Sequence, residues 1–86
     1  MAAQRISFNP DPPQAGQPLT ICYDFSGTGL SFTHLKVTFT PPVVSPATYV
    51  VTPDAPCVTV TVPRGAVSIL VEDIDGPSPD KGGVID

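Results

Sequence analysis

The 86-residue sequence has no tryptophan, one histidine, two cysteines and only four cationic side chains, which are Arg5, Lys36, Arg64 and Lys81. Eight acidic residues bring the formal net charge to −4. Proteins bind nucleic-acid phosphates through basic patches, so this charge balance excludes nucleic acid as an expected partner. An anionic membrane surface would repel the chain for the same reason.

Long apolar runs are also missing from the sequence. No segment approaches the roughly 20 apolar residues that cross a bilayer as a helix, so we expect no membrane insertion. The opening residues, MAAQRISFNP, lack the apolar centre of a signal peptide, so none is expected within this chain. A small chain with two cysteines is nevertheless typical of oxidising compartments, and we expect a secreted or cell-surface protein.

Twelve prolines and seven glycines divide the chain into short segments. Between these breaks the apolar residues recur at every second position, which indicates strands rather than helices. The segments with this pattern are RISFN, PLTICYDF, THLKVTF, ATYVVT, CVTVTV and AVSILVED, followed by a short candidate strand in GGVID. The sequence therefore predicts one all-β domain over residues 1–86, a small antiparallel β-sandwich of six or seven strands, with a small β-barrel as the alternative.

The alternation also predicts which side chains face the core of this sandwich. The inward set is Leu35, Val37 and Phe39, then Val58, Val60 and Val62, then Val67, Ile69 and Val71. The segment ATYVVT is bracketed by prolines, which favours an edge strand.

Two longer stretches resemble parts of an immunoglobulin-like or fibronectin-III-like module. FNPDPPQAGQPLTICYDF is similar to strands A and B with a proline corner between them, and CVTVTVPRGAVSILVED is similar to strands E and F. The resemblance implies that strand B lies beside strand E and that strand C lies beside strand F. Because the chain has no tryptophan for strand C and no cysteine in strand F, we expect a general module of this type rather than an antibody domain.

The cysteine of LTICYDF falls on the polar side of the alternation, so Cys22 is not expected in the core. If strands B and E are antiparallel neighbours, one register sets Cys22 opposite Cys57. That register also pairs like with like at the neighbouring positions: Thr20 with Thr59, Ile21 with Val58 and Leu19 with Val60. A shift by one residue would set polar against apolar side chains. We therefore predict a cross-strand disulfide on the outer face, with two reduced cysteines as the alternative.

Acidic residues cluster in the segment EDIDGPSPD. Carboxylates at close spacing are calcium ligands, and D-x-D-G resembles the start of an EF-hand loop. Asp73, Asp75 and Asp80 are therefore weak candidates for a calcium site. Two prolines interrupt the segment and no glutamate follows at the twelfth position, so we favour a solvated acidic hairpin and expect no metal or other cofactor.

No arrangement of catalytic residues is apparent in the sequence. Asp24, Ser26 and His34 lie near one loop, but nothing holds a base against a nucleophile beside an oxyanion hole. Asp24 and Ser26 are better interpreted as strand-end and turn residues, and we expect a protein that is not an enzyme.

Apolar residues at positions predicted to be exposed indicate a surface for another protein. The candidate partner-binding residues are Leu30 and Phe32 in the loop SGTGLSF, and Lys36, Leu70 and Glu72 on strands C and F. The expected function is a protein-binding module or structural spacer. The alternatives are a small loop-mediated inhibitor or effector and a calcium-dependent adhesion repeat. The short last strand further predicts a partly open sheet edge, through which the chain could self-associate.

Overall fold

The computed structural model describes residues 3–86, and this range contains seven strands and no helix. Accordingly, no helix within the described range has the length and apolar character needed to cross a membrane. The strands are β1 Ile6–Asn9, β2 Pro18–Tyr23, β3 Thr33–Thr40, β4 Ala47–Val51, β5 Cys57–Thr61, β6 Ser68–Asp73 and β7 Lys81–Val84.

The strands form two antiparallel sheets, one with the order β1-β2-β5 and one with the order β4-β3-β6-β7. The predicted all-β sandwich is therefore confirmed. The strands matched above to B and E, β2 and β5, are neighbours, and so are β3 and β6, the counterparts of C and F. The edge strand β4 pairs with β3 and so belongs to the larger sheet.

The register between β2 and β5 agrees with the one deduced from the cysteines. Cys22 lies opposite Cys57, with Ile21 opposite Val58 in the next pair. The two cysteines form a disulfide, so the alternative of two reduced thiols is excluded. Because β2 and β5 are neighbours in one sheet, the bond joins strands within that sheet and lies outside the core.

The core lies between the sheets and is built from the inward positions of the alternating strands. Its fully buried apolar side chains are Leu19 and Ile21 from β2, Leu35 from β3, Val51 from β4, Val71 from β6 and Val62, which follows β5. Val58 is only partly buried because β5 is an edge strand.

Val67 was predicted to face the core together with Ile69 and Val71, and this was wrong. The side chain of Val67 is 59% exposed, whereas the neighbouring Ala66 is buried. The strand begins only at Ser68, and Val67 precedes it at the end of the sheet. There its amide donates to the carbonyl of Thr40, 2.8 Å away, so its position is set by backbone hydrogen bonding and not by core packing.

Candidate functional site

The outer face of the four-stranded sheet is the surface formed by side chains that point away from the core. Its members are Thr48 and Val50 of β4, His34, Lys36, Thr38 and Thr40 of β3, Ser68, Leu70 and Glu72 of β6, and Gly82 and Val84 of β7. We refer to this surface as the outer face. It brings together three of the predicted partner-binding residues, Lys36, Leu70 and Glu72.

The middle of the outer face combines one charged pair with one exposed leucine. Lys36 lies directly opposite Glu72 in the register of β3 and β6. Leu70 lies opposite Thr38 on one side and Gly82 on the other. Because glycine has no side chain to cover its neighbour, Leu70 remains 39% exposed in the middle of a sheet.

One end of the outer face carries apolar side chains around His34. Val50 lies opposite His34 on β4 and is 58% exposed. Ile74, which follows β6, donates its amide to the carbonyl of His34 at 2.9 Å and has a side chain that is 54% exposed. Phe32, 47% exposed, packs edge-on against the imidazole with ring centroids 5.5 Å apart. Leu30 is half-buried in the loop before β3.

Asp75 fixes the orientation of the His34 ring. Its Oδ2 atom accepts hydrogen bonds from His34 Nδ1 at 2.5 Å and from the His34 amide at 3.0 Å. The bond to the imidazole is the main reason why the pKa of Asp75 lies below its ordinary value. A carboxylate acceptor at Nδ1 leaves Nε2 as the ring nitrogen available to a partner.

Asp73, the first calcium candidate, is the centre of a hydrogen-bond network. Its Oδ2 atom accepts from the Tyr23 hydroxyl at 2.6 Å and from the Ser78 amide at 3.1 Å. Its Oδ1 atom accepts from the Thr33 hydroxyl at 2.5 Å and from the Gly76 amide at 2.9 Å. Both oxygens are thus engaged by protein donors, and the network ties the β6–β7 hairpin to β2 and β3.

The other two calcium candidates lie in separate environments. The Asp75 carboxylate binds His34, whereas Asp80 is exposed and its backbone carbonyl accepts a hydrogen bond from Gln4 Nε2 at 3.1 Å. Within residues 3–86, no group of three or more histidine, cysteine, aspartate or glutamate side chains is arranged to hold a metal ion. The carboxylates of Asp73 and Asp75 therefore bind different protein groups, and Asp80 is held through its backbone carbonyl.

Sequence reasoning missed the network around Asp73, although the sequence contained a signal for it. Asp73 continues the inward series of Ile69 and Val71, and Thr33 begins the inward series of β3. Buried polar groups almost always have a hydrogen-bond partner. Polar residues on the inward face of two adjacent strands are therefore candidates to bind each other, because few other partners are within reach there.

Asp24 and Ser26, interpreted from the sequence as strand-end and turn residues, are joined by local hydrogen bonds. Asp24 Oδ1 accepts from the hydroxyl of Ser26 at 2.6 Å and from its amide at 2.9 Å. Both bonds lower the pKa of Asp24 from its ordinary value, and the bond from the Ser26 hydroxyl has the larger effect. The hydrogen bonds of His34 go to Asp75 instead, so the three residues do not form one site.

Comparison of the chain with protein-family models, with curated proteins and with solved structures found no match.

Gly76 approaches the Asp73 network too closely to accept a side chain. A Cβ atom there would overlap Asp73 Oδ2 and the Tyr23 hydroxyl and would lie 2.8 Å from Asp73 Oδ1. We expect Gly76→Ala to lower the free energy of unfolding by about 1–3 kcal/mol, the usual cost of overpacking. Urea unfolding measures this change. Gly82→Ala is the matched control, because its Cβ would meet only ordinary contacts, the nearest at 3.6 Å. Equal losses for the two variants would contradict the steric explanation.

The Tyr23 phenol is expected to make the fold less stable in alkaline solution. Its pKa is raised mainly by burial and, to a smaller extent, by the hydrogen bond to Asp73. An acid with a raised folded-state pKa stabilises the fold fully below its unfolded pKa of about 10, and this contribution falls as the pH rises toward the folded value. Melting temperatures measured between about pH 8 and about pH 11 should therefore decline. The decline should be shallower in Tyr23→Phe than in Tyr49→Phe, and identical profiles would refute this assignment.

Proposed function

We propose that the chain is a non-enzymatic, immunoglobulin-like module that binds another protein through the outer face. The observation that carries this proposal is the clustering of exposed apolar side chains on one sheet face. Phe32, Val50, Leu70 and Ile74 are each between 39% and 58% exposed, and all four lie on the outer face or at its end. Scattered surface hydrophobes need no explanation, but an apolar cluster is typical of an interaction surface.

The chemistry of the outer face suits a protein partner. Lys36 and Glu72 lie opposite each other between the Leu70 row and the apolar group around His34. Protein interfaces commonly combine apolar and aromatic contacts with a few polar groups that determine the register of binding. On this proposal Phe32 and Leu70 supply the apolar contact, and Lys36 and Glu72 supply polar specificity.

The immunoglobulin-like assignment is supported by the pairing of β2 with β5 and of β3 with β6. In constant-type immunoglobulin domains the fourth strand joins the sheet of strands A, B and E. Here β4 lies beside β3, so we propose a variant of the module in which this strand extends the sheet that forms the outer face. The Cys22–Cys57 disulfide supports a secreted or cell-surface location, because such bonds persist in oxidising compartments.

Leu70→Asp tests the proposed interface. A charge in the middle of an apolar contact is expected to reduce affinity at least about tenfold, the equivalent of about 1.4 kcal/mol. Affinity capture of partners by the wild-type chain, with quantitative comparison of the variants, measures the loss. Thr61→Asp, an exposed position on the other sheet, is the matched control. Circular dichroism checks that both variants are folded, and capture unaffected by Leu70→Asp would refute binding through the outer face.

A further inference from the structure

A sandwich of two open sheets has four edge strands, which here are β1 and β5 in one sheet and β4 and β7 in the other. An edge strand presents unpaired backbone groups to any strand that can reach it, and proteins usually block such edges. An edge that the chain leaves unblocked is therefore a candidate contact for another strand.

The edges of β1 and β7 are partly closed by groups of the chain itself. The Ile6 amide of β1 donates to the side-chain Oε1 of Gln4 at 2.8 Å. The Nε2 atom of Gln4 donates a hydrogen bond to the carbonyl of Asp80, the residue before β7. Just beyond the end of β7, Asp86 donates its amide to Pro13 at 2.8 Å and accepts from the amide of Ala15 at 3.0 Å. Within the described part of the chain, Gly82 and Val84 of β7 still direct unbonded backbone groups outward, but this strand carries a charged residue, Lys81, and two glycines, which make it a poor partner for another strand.

The hydrogen bonds of β3 show which residues of β4 direct their backbone N–H and C=O groups toward β3 and which direct them away. The Ile74 amide donates to the His34 carbonyl, so the backbone groups of His34 face β6. Successive residues of a strand direct these groups to opposite sides. Those of Leu35 therefore face β4, where Tyr49 is the residue opposite.

It follows that Tyr49 uses its backbone groups to pair with β3, and that its neighbours Thr48 and Val50 direct theirs away from the sheet. Among residues 3–86, no loop backbone group or side chain hydrogen-bonds to the backbone of Thr48 or Val50. The strand Ala47–Val51 also has no charged residue or proline, which commonly protect an edge, and no glycine, which weakens a strand.

We propose that β4 pairs with β4 of a second copy of the chain, antiparallel, about a two-fold axis at Tyr49. Thr48 then lies opposite Val50 of the second copy, and by symmetry Val50 lies opposite the second copy's Thr48. Each of these pairs exchanges two backbone hydrogen bonds, so the contact contains four. The two four-stranded sheets become one continuous sheet.

The sequence of β4 favours a second copy over an unrelated strand. A two-fold axis places each outward donor against an outward acceptor, so the strand is complementary to itself. Two chains of net charge −4 repel each other, and an uncharged contact strand lets them meet without opposing carboxylates in the interface. Tyr49 would face its symmetry mate as a cross-strand aromatic pair, which is a favourable contact.

Apolar surface distinguishes β4 from β5, the remaining uncharged edge. Val50 is 58% exposed and lies beside the apolar group around His34, so pairing at β4 shields apolar surface. On β5 the exposed side chains are Cys57, Thr59 and Thr61, which have less to gain from removal of water. The inference rests on the backbone of the β4 edge and does not require a partner bound to the outer face, although the side chains of Thr48 and Val50 belong to both surfaces.

Sedimentation equilibrium over a range of concentrations tests the proposal. The wild-type chain is expected to approach twice the monomer mass as concentration rises. Thr48→Pro removes an outward amide without removing a bond to β3, and it should abolish the dimer. Thr59→Pro makes the same change at an outward amide of β5 and should leave the dimer intact. A wild-type chain that stays monomeric, or a dimer lost only in Thr59→Pro, overturns the proposal.

Two measurements keep the proposal testable if Thr48→Pro does not fold. In the wild-type chain, hydrogen exchange at the amides of Thr48 and Val50 should slow as concentration rises, and concentration-independent exchange would overturn the proposal. Under mild oxidation Tyr49→Cys should form a disulfide with the second copy, since the two-fold axis sets this position opposite itself. Ala47→Cys is the matched control and should not cross-link. Cross-linking of Ala47→Cys alone would refute the register.

Discussion

Replacing both cysteines, as Cys22→Ala with Cys57→Ala, is expected to lower the free energy of unfolding by about 3–4 kcal/mol. The disulfide joins residues 35 positions apart, and a cross-link of that span restricts the unfolded chain considerably. The loss is large for a small domain, because total stabilities are only about 5–15 kcal/mol. Each kcal/mol corresponds to a fall of about 4–8 °C in Tm for a domain of this size.

Urea unfolding and thermal unfolding of the double variant measure this contribution, and reduction of the wild-type chain provides an independent comparison. The matched control is Thr20→Ala with Thr59→Ala, which removes the next cross-strand pair on the same face as the disulfide, where the two Oγ1 atoms lie 3.3 Å apart. A surface pair of this kind contributes only about 0.2–1 kcal/mol. A cysteine-free variant no less stable than this control would refute a stabilising role for the disulfide.

Asp73→Ala is expected to cost about 3–5 kcal/mol, because several donors depend on its half-buried carboxylate and each buried donor left without an acceptor costs about 1–3 kcal/mol. The change removes the acceptor of four hydrogen bonds, two from the hydroxyls of Tyr23 and Thr33 and two from backbone amides. Thr33 is fully buried and Tyr23 nearly so, so water cannot replace the lost acceptor without repacking.

Asp73→Asn tests the hydrogen-bonding explanation separately from volume. The amide keeps one oxygen acceptor but turns an NH₂ group toward two donors, so we expect an intermediate loss of about 1–3 kcal/mol. Asp80→Asn is the matched control: its side chain is exposed, and a surface change of this type is usually within about 0.5 kcal/mol. Urea unfolding of the three variants gives the order, and equal stabilities of Asp73→Asn and Asp80→Asn would contradict the network.

The β2–β5 pairing shows how far the sequence could predict a tertiary contact. Cys22 and Cys57 each occupy the polar side of an alternating strand, and only one register satisfies both the cysteines and the apolar faces. The immunoglobulin-like resemblance indicated which two strands to compare. Two independent constraints on one strand pair were sufficient to deduce the contact residue by residue.

The β6–β7 hairpin shows where the same reasoning was incomplete. Asp75 and Asp80 of the acidic segment are exposed, as predicted, but Asp73 is half-buried and accepts hydrogen bonds from Tyr23 and Thr33. These donors are 50 and 40 positions away in the sequence. No local pattern specifies which distant hydroxyl will meet a carboxylate, because that depends on how the two sheets stack.

By itself the sequence determined the all-β class, the inward face of most strands and the disulfide, because these depend on a two-residue period, on the two cysteines and on the resemblance that set strand B beside strand E. Only the tertiary structure decided that β4 joins β3, that Val67 lies outside the core and that Asp73 accepts hydrogen bonds from Tyr23 and Thr33. It also decided which apolar side chains share the outer face. Alternation specifies the face on which a side chain lies, whereas the neighbour it meets there depends on the packing of the whole chain.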